Sequence, residues 1–249
     1  MSAPPVTALA LAYAALFYLA FAVLVGGLGW RIAGYWRTPA PLKIPTTPAP
    51  TTTGGVVLRM AREVVLFESL FKGNLWTWAC GWAFHAGLLL VLLRHLRYFT
   101  QPVWFWVVWA QTLGVPAAFA MAGGLAGLWA RRLLVERIRY ISTVSDHLWL
   151  LLLLAIAATG LAMKFAFHTD VIAAKIFFLG LLRLAPRPLP ADPLLLAHLG
   201  LVAALMIAFP FSKLLHAPAL FFSPTRNQAD DPRERRHLAP WAAQLEAER

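Results

Sequence analysis

Two histidines near the ends of one apolar run are the residues best suited to chemistry in this sequence. His198 and His216 lie in the run at 194–218, which is long enough to cross a bilayer, since a crossing takes about 20 residues. They are eighteen residues apart. On a continuous helix this spacing is about five turns, so both rings leave one face about 27 Å apart along the axis. Because an imidazole inside a membrane is costly and usually has a partner, the spacing predicts two cofactors stacked across the bilayer.

A second pair of histidines lies in another apolar run. His85 and His95 fall within 75–98, a predicted span antiparallel to the first. Antiparallel pairing matches His95 with His198 and His85 with His216. Each pair would supply the two axial ligands of a b-type haem, a cofactor that imidazole is well suited to bind. The sequence has no CxxCH motif, which excludes covalent c-type haem.

Other uses of these histidines remain open at this point. Intramembrane histidines also form hydrogen bonds between helices. Proton-relay and transport proteins use them as well, but usually with buried carboxylates, whereas here only Asp146 lies at a span boundary. His147, at the start of the fourth span, is interpreted as a helix-end residue, and as a ligand it would be the alternative to His85.

The composition predicts a polytopic membrane protein of the all-α class. Of its 249 residues 60% are hydrophobic and only 13% are charged, which is outside the soluble globular range. The net charge of +11 does not indicate a nucleic-acid partner, because the basic residues lie between apolar runs, where they orient spans. The single cysteine, Cys80, excludes an intrachain disulfide and a Cys-ligated iron–sulfur cluster.

Five membrane spans are predicted, and together they form a membrane domain over residues 1–222. The spans are 7–30, 75–98, 103–130, 146–167 and 194–217. Sixteen Lys and Arg residues fall on one side and six on the other, which predicts a cytoplasmic C-terminus and an external N-terminus. The charged tail at 223–249 is expected to be exposed to solvent.

Three segments between the spans have their own patterns. The Pro/Thr-rich linker at 38–54 is expected to be extended and weakly ordered. Residues 56–71 predict an amphipathic helix that lies on the membrane or docks a partner. The run at 171–185 is too short to span and is expected to be a surface helix. Small residues at 121–127, MAGGLAG, allow close approach of another backbone or of a flat cofactor.

Several short motifs resemble those of one membrane family. They are GNLW at 73–76, MAGG at 121–124, RR at 131–132, ISTVSD at 141–146 and, most specific, HLGLVAALMIAFPFSKLLH at 198–216. On these motifs residues 5–222 resemble the five-helix dihaem cytochrome b subunits. That family includes the gamma subunit of respiratory nitrate reductase and the DsrM membrane subunit of the sulfite-reductase-associated Dsr complex. The stretches at 84–99 and 142–160 are more similar to the DsrM branch.

The resemblance implies a quinol or quinone oxidoreductase subunit acting within a complex. In this family quinone, either menaquinone or ubiquinone, reacts near the outer haem. Two haem b groups then connect it electrically with a cytoplasmic iron–sulfur subunit, heterodisulfide-reductase-like in the Dsr branch of dissimilatory sulfur metabolism. A periplasmic cytochrome and further membrane subunits are additional partners. The implied location is the cytoplasmic (inner) membrane of a bacterium or archaeon.

The outer ends of the spans carry candidates for the quinone site. Lys164, His168 and Asp170 lie at the outer end of the fourth span and would serve quinone hydrogen bonding and proton exchange, or would be an ordinary polar helix end.

Two arginines flank one proposed ligand at the same end of the spans. Arg94 and Arg97 lie beside His95, where haem propionates need cations. Anchoring of the helix end by these long side chains is the alternative.

Within the same family, the gamma subunit of nitrate reductase is the first alternative, with one departure. A register set on GNLW places Thr77 where that subunit has its first ligand, and a shifted register restores His85 and His95. The third span has no lysine for a quinone site of that type.

The iron–sulfur partner is expected to dock on the basic face formed by loop 131–140, the 56–72 helix and the tail. A haem-free membrane anchor or small-solute transporter is the alternative from another class.

Overall fold

The computed structural model describes residues 5–40 and 42–231, together with 244 and 247. Within 5–231 every regular element is helical, and this part contains no strand. The α-helices are α1 (Ala8–Arg37), α2 (Thr53–Val65), α3 (Glu68–Gly73), α4 (Leu75–His95), α5 (Phe105–Leu134), α6 (Glu136–Ile141), α7 (Val144–Phe165), α8 (Val171–Leu182), α9 (Pro193–Ala208), α10 (His216–Ala219) and α11 (Pro224–Asn227). Turns of 3₁₀ helix lie at Leu96–Tyr98, Phe209–Phe211, Lys213–Leu215 and Leu220–Phe222.

Five of these helices are long and apolar enough to cross a bilayer. They are α1, α5 and α7, together with α4 and α9 when each is extended by its 3₁₀ turn. This confirms the all-α class and the five predicted spans of a multi-pass membrane protein. The helices α1 and α5 have 30 residues each, about 45 Å. Their ends therefore extend beyond a hydrocarbon layer of about 30 Å.

The chain forms two compact units. The first takes in the described residues up to Ala22 and Leu70–Ile207, and the second takes in Val23–Ser69 and the described residues from Ala208 onward.

In the first unit, α4 and α5 touch through glycines. A Cβ added at Gly124 of α5 would lie 2.5 Å from the carbonyl oxygen of Cys80 on α4. One added at Gly87 of α4 would lie 2.6 Å from the carbonyl oxygen of Ala117 on α5. In the MAGG motif, Gly124 therefore serves close contact with the backbone of α4. The core beside this crossing consists of Phe84, Met121, Leu125 and, from α7, Ala157.

The short helix α8 packs into a second core with α1 and α9. Its buried residues recur at helical spacing on one face: Ala174, Phe177, Phe178 and Leu181. They cluster with residues of α1, α9 and the preceding loop: Ala10, Ala14, Leu189, Leu195 and Leu199. The predicted helix is therefore confirmed, and one of its faces packs on α1 and α9. Its position at the membrane surface stays a prediction.

The apolar run at 194–218 is not one helix. The helix α9 ends at Ala208, and Pro210 follows in a 3₁₀ turn, because proline lacks the N–H that a continuing helix needs. Ser212 then has an extended backbone, with φ −109° and ψ 168°. The predicted continuous helix to residue 217 is therefore wrong. His216 instead begins α10 after this break, and the five-turn geometry does not apply to it.

In the second unit, the break is fixed against α1. A Cβ added at Gly27 would lie 2.6 Å from the Cβ of Pro210. The side chain of Arg31 also donates from Nε to the carbonyl oxygen of Pro210, at 3.2 Å. The absence of a side chain at Gly27 is thus what lets Pro210 pack on α1.

The linker is held by the first part of the C-terminal tail. The amide of Thr46 donates to the carbonyl of Thr225 at 2.9 Å, and the amide of Asp230 donates to the carbonyl of Pro50 at 2.8 Å. Lys43 and Asp231 form an ion pair. The tail therefore differs from the predicted fully exposed segment up to residue 231. Beyond that point, apart from 244 and 247, the predicted tail lies outside the described residues.

The predicted amphipathic helix at 56–71 consists of two pieces, α2 and α3. The chain turns between them at Phe67, which has a left-handed φ of 52°. The charged side of α2 is bonded within the second unit: Glu63 accepts from Arg226 at 3.2 Å. Val57 and Leu58 of α2 are 64% and 60% exposed. An outward apolar side agrees with the membrane-surface interpretation.

Candidate functional site

The histidines proposed as ligands lie on three helices. His85 and His95 are on α4, His198 is on α9, and His216 begins α10. His95 and His198 are half-buried and lie near each other. These two are the pair predicted as axial ligands for the outer end, and their pairing at one iron stays a prediction.

Three of the four rings are held at Nδ1 by a carbonyl of their own chain segment. The distances are 2.7 Å from His85 to Gly81, 2.6 Å from His95 to Val91, and 3.1 Å from His216 to Lys213. A carbonyl oxygen only accepts, so Nδ1 must carry the proton in each ring. In the neutral imidazole the lone pair then belongs to Nε2. This is the protonation state that a histidine ligand of a metal adopts.

The fourth ring is held by a different helix. Nδ1 of His198 lies 2.8 Å from the hydroxyl oxygen of Thr159 on α7. Sequence reasoning did not select Thr159, because a single threonine within an apolar span gives no sign of a specific hydrogen-bond partner. With this bond, residues of α4, α7 and α9 meet around one pair of imidazoles.

His147 has the opposite arrangement. The indole Nε1 of Trp129 lies 3.1 Å from Nδ1 of His147, and an indole N–H can only donate. Nδ1 of His147 is therefore an acceptor, and in the neutral ring the proton is on Nε2. A nitrogen that carries a proton cannot ligate iron, so the geometry favours the interpretation of His147 as a helix-end residue.

The two arginines beside His95 both reach α5. Arg97 donates from NH1 to the side-chain oxygen of Gln111, at 3.1 Å. The side chain of Arg94 covers Gly114, where any added Cβ would collide with it. Gln111 and Gly114 are one turn apart on α5, so two cations are gathered at the end of the bundle where His95 lies.

The three candidate quinone residues are exposed and are not bonded to one another in the described structure. Asp170 caps α8 by accepting from the amides of Ile172 and Ala173, each at 3.0 Å. His168 has a left-handed backbone, with φ 43°. Lys164 lies in the last turn of α7. The structure thus gives Asp170 a capping role and leaves the other two at a polar helix end.

A carboxylate that sequence reasoning missed begins α9. Asp192 accepts from the amides of Leu194 and Leu195, at 2.9 and 3.3 Å, and from the hydroxyl of Thr169. The hydrogen bond from Thr169, followed by those from the two amides, lowers the pKa of Asp192, against the opposing effect of its slight burial. The charged form of Asp192 therefore stabilises the start of the helix that carries His198.

Two of the motifs have structural roles at helix ends. In ISTVSD, Thr143 and Asp146 form a capping box for α7. In RR, Arg132 donates from NH1 to the hydroxyl of Ser142 at 2.9 Å, which ties the end of α5 to that cap. Thr77, which the nitrate reductase register would place at a ligand position, instead bonds Asn74, the N-cap of α4.

The chemistry of the donor set fits haem b. His95 and His198 are neighbouring imidazoles with Nδ1 engaged, and Gly160 on α7 leaves room beside the ring of His198, 3.5 Å from its Cε1 to an added Cβ. The two arginines supply cations at the same end of α4. These residues would hold a bis-histidine haem and its propionates.

Comparison with known proteins identifies a family and two relatives of this chain. A family model described as "Nitrate reductase gamma subunit" matches residues 68–227, a range that includes all four histidines. Two curated relatives carry the name "Hdr-like menaquinol oxidoreductase cytochrome b-like subunit". The protein from Archaeoglobus fulgidus is 35% identical over 90% of this chain and 81% of its own length. The protein from Archaeoglobus profundus is 34% identical over 91% of this chain and 81% of its own length.

The family match covers more than half of the chain, and the relatives align over nearly all of it. The five spans, the histidines on α4 and α9 and the short motifs lie within these matches. The chain therefore belongs to the nitrate reductase gamma subunit family of membrane cytochromes b.

Proposed function

We propose that this chain is a dihaem b subunit that connects the membrane quinone pool electrically with a cytoplasmic iron–sulfur protein. The names of the Archaeoglobus relatives specify menaquinol and an Hdr-like complex, so menaquinone is the proposed quinone. A heterodisulfide-reductase-like iron–sulfur subunit is the proposed partner, and dissimilatory sulfur metabolism is the proposed setting. Bound haem would supply the one-electron relay that a two-electron quinone needs.

The hydrogen bonding of His95 and His198 at Nδ1 is the observation that carries this proposal. Both rings engage Nδ1 in a hydrogen bond, to a carbonyl and a hydroxyl respectively. Two such imidazoles at one place in a membrane, without a carboxylate between them, suit the two axial positions of one haem better than a proton relay, which usually recruits buried Asp or Glu.

The second proposed pair is His85 with His216. It rests on the antiparallel order of the spans and on the family resemblance. The carbonyl bonds of the two rings give each the same protonation state as His95. His147 is not proposed as a ligand, because Trp129 occupies its Nδ1.

The quinone site is proposed at the outer end of the bundle, near Lys164 and His168, with Asp170 acting there mainly as the cap of α8. Arg94 and Arg97 are proposed to pair with haem propionates. Their attachment to α5 would keep both cations at a fixed depth.

The partner is proposed to dock on the face that the charge count assigns to the cytoplasm. The segment predicted as a loop, 131–140, is formed by the end of α5 and by α6. Arg137 and Arg139 are exposed there, and Tyr140 is 91% exposed. An exposed aromatic residue between cations is typical of an interface. The family match also favours a nitrate reductase gamma role, so identification of the copurifying subunit decides between the two. An Hdr-like iron–sulfur protein supports the proposal, and a ferredoxin-like nitrate reductase beta subunit overturns it.

Haem content tests the central claim. The purified chain in detergent should show a reducible b-type optical spectrum, with about two haems per chain in a pyridine haemochrome assay. The His147→Ala variant is the matched control, because it removes an imidazole from a span without removing a proposed ligand, and it should retain both haems. A folded, colourless wild-type preparation would establish the haem-free alternative.

A further inference from the structure

The ring of His198 differs from the other three proposed ligands in what holds it. His85, His95 and His216 bond carbonyls three or four residues back in the chain. His198, on α9, bonds α7 instead: its Nδ1 lies 2.8 Å from the hydroxyl oxygen of Thr159, and it also interacts with the backbone of Ile156. Its orientation is therefore set by contacts between helices, and one substitution can remove the hydroxyl without touching α9.

The position of the hydroxyl proton follows from the neighbours of Thr159. Its Oγ1 lies 2.7 Å from the carbonyl oxygen of Ala155 and 3.0 Å from that of Ile156. Both are acceptors only, so the single hydroxyl proton must point to them; otherwise two oxygen pairs would be in contact with no proton between them. The lone pairs of Oγ1 then accept the Nδ1 proton of His198. The hydroxyl thus selects the protonation state with a lone pair on Nε2.

The residue after Thr159 has no side chain beside the same ring. A Cβ placed on Gly160 would lie 3.5 Å from Cε1 of His198 and 4.0 Å from its Nδ1. Any side chain at position 160 would therefore contact the ring, whereas glycine leaves this side of it open. The hydroxyl of Thr159 is then the side-chain contact from α7 that orients the imidazole.

We propose that Thr159 is a positioning residue for the His198 ligand and tunes the haem that His198 holds. This inference rests on the proposed function. An Nδ1 proton given to an acceptor raises the electron donation of the ring to iron, since hydrogen-bonded partners of ligating histidines increase ligand basicity. Stronger donation favours the oxidised iron, so removal of the acceptor raises the reduction potential of that haem and leaves the other haem unchanged.

The test compares Thr159→Val with Thr159→Ser in the purified, haem-loaded chain, titrated by optical redox potentiometry. Valine keeps the size and branching but removes the acceptor; serine keeps the hydroxyl. We expect valine to shift the oxidised-to-reduced equilibrium of one haem about tenfold, which is about 59 mV for a one-electron couple. Serine should restore the wild-type value. Thr112→Val is the matched control, because the hydroxyl of Thr112 also bonds a carbonyl of its own helix, that of Trp109 at 2.8 Å, and it should shift neither haem.

The outcomes separate this inference from the proposed function. A wild-type chain without haem refutes the proposed function. A wild-type chain with two haems, whose potentials are the same in Thr159→Val, refutes the positioning role alone. If valine lowers haem occupancy instead, the low-temperature EPR signal of the oxidised His198 haem that is still bound, identified as the signal missing in His198→Ala, gives the second readout. A changed spectrum that serine restores supports the role, and an unchanged one overturns it.

Discussion

His198 and His216 lie in one apolar run, yet their surroundings have little in common. His198 is half-buried within a regular helix, and its ring is held from α7. His216 is exposed, follows Pro210 and an extended Ser212, and bonds the carbonyl of Lys213. Uniform hydropathy therefore hides a change from regular helix to a chain of short turns. The position of the His198 ring depends on packing between helices, and the position of the His216 ring depends on the short turns that follow Pro210.

Removal of either imidazole should have the largest effect, measured as loss of bound haem. His198→Ala should lose one haem and keep the other, about half of the total, because a bis-histidine site does not hold haem firmly with one ligand. His216→Ala should lose the opposite one. Haemochrome assays on both single variants and on the double variant measure this. A double variant that retains haem would show that the histidines are not the ligands.

A smaller effect is expected from filling the space beside Gly27 on α1, into which Pro210 packs. Gly27→Ala would place a Cβ 2.6 Å from the Cβ of Pro210, and overpacking of this kind costs about 1–3 kcal/mol. Thermal unfolding in detergent should show a lower midpoint. Gly26→Ala is the control, because its added Cβ meets nothing within 4 Å. Equal midpoints for the two variants would mean that the contact with Pro210 does not hold the break in place.

The smallest effect concerns the start of the helix that carries His198. Asp192→Asn should destabilise by about 1 kcal/mol or less near neutral pH, the usual range for a cap of this exposure. The native pKa of Asp192 is below its ordinary value of 3.8. The stabilisation by its charged form is therefore complete above about pH 4 and lost as the pH falls through the lowered native value.

This pH dependence is checked by unfolding wild type and Asp192→Asn at pH 7 and at pH 3. The difference between the two proteins should shrink at the lower pH. Ser212→Ala is the counterpart at the other histidine, since Ser212 Oγ accepts from the amide of Leu214 at 3.1 Å. The destabilisation caused by Ser212→Ala should be the same at pH 7 and pH 3, because serine does not titrate. A destabilisation that depends on pH would point to another titratable group.

Much of the architecture was predictable because it follows from hydropathy and charge. The five spans, the all-α class and the histidines on α4 and α9 needed only run length and spacing. The break at Pro210 was visible in the sequence as FPF, but the apolar length of the run outweighed one proline. The buried face of α8 was also readable, from the helical spacing of Ala174, Phe177, Phe178 and Leu181.

The hydrogen bonds of the site were less predictable. Thr159 and Trp129 are ordinary residues of apolar spans, and nothing in their own neighbourhoods assigns them to His198 or His147. Their roles arise from which helices meet and at what rotation. That information depends on packing of the whole bundle, such as the contact of Gly87 with Ala117, and local periodicity does not contain it.

The contact between α4 and α5 has a mechanical consequence. Backbone approaches backbone at Gly87 and again at Gly124, so a larger side chain at either glycine would force the two helices apart. His85 and His95 are both carried by α4, ten residues apart, about 15 Å along its axis. Under the proposed function, α4 would therefore set the axial separation of the two haem centres that it helps to hold.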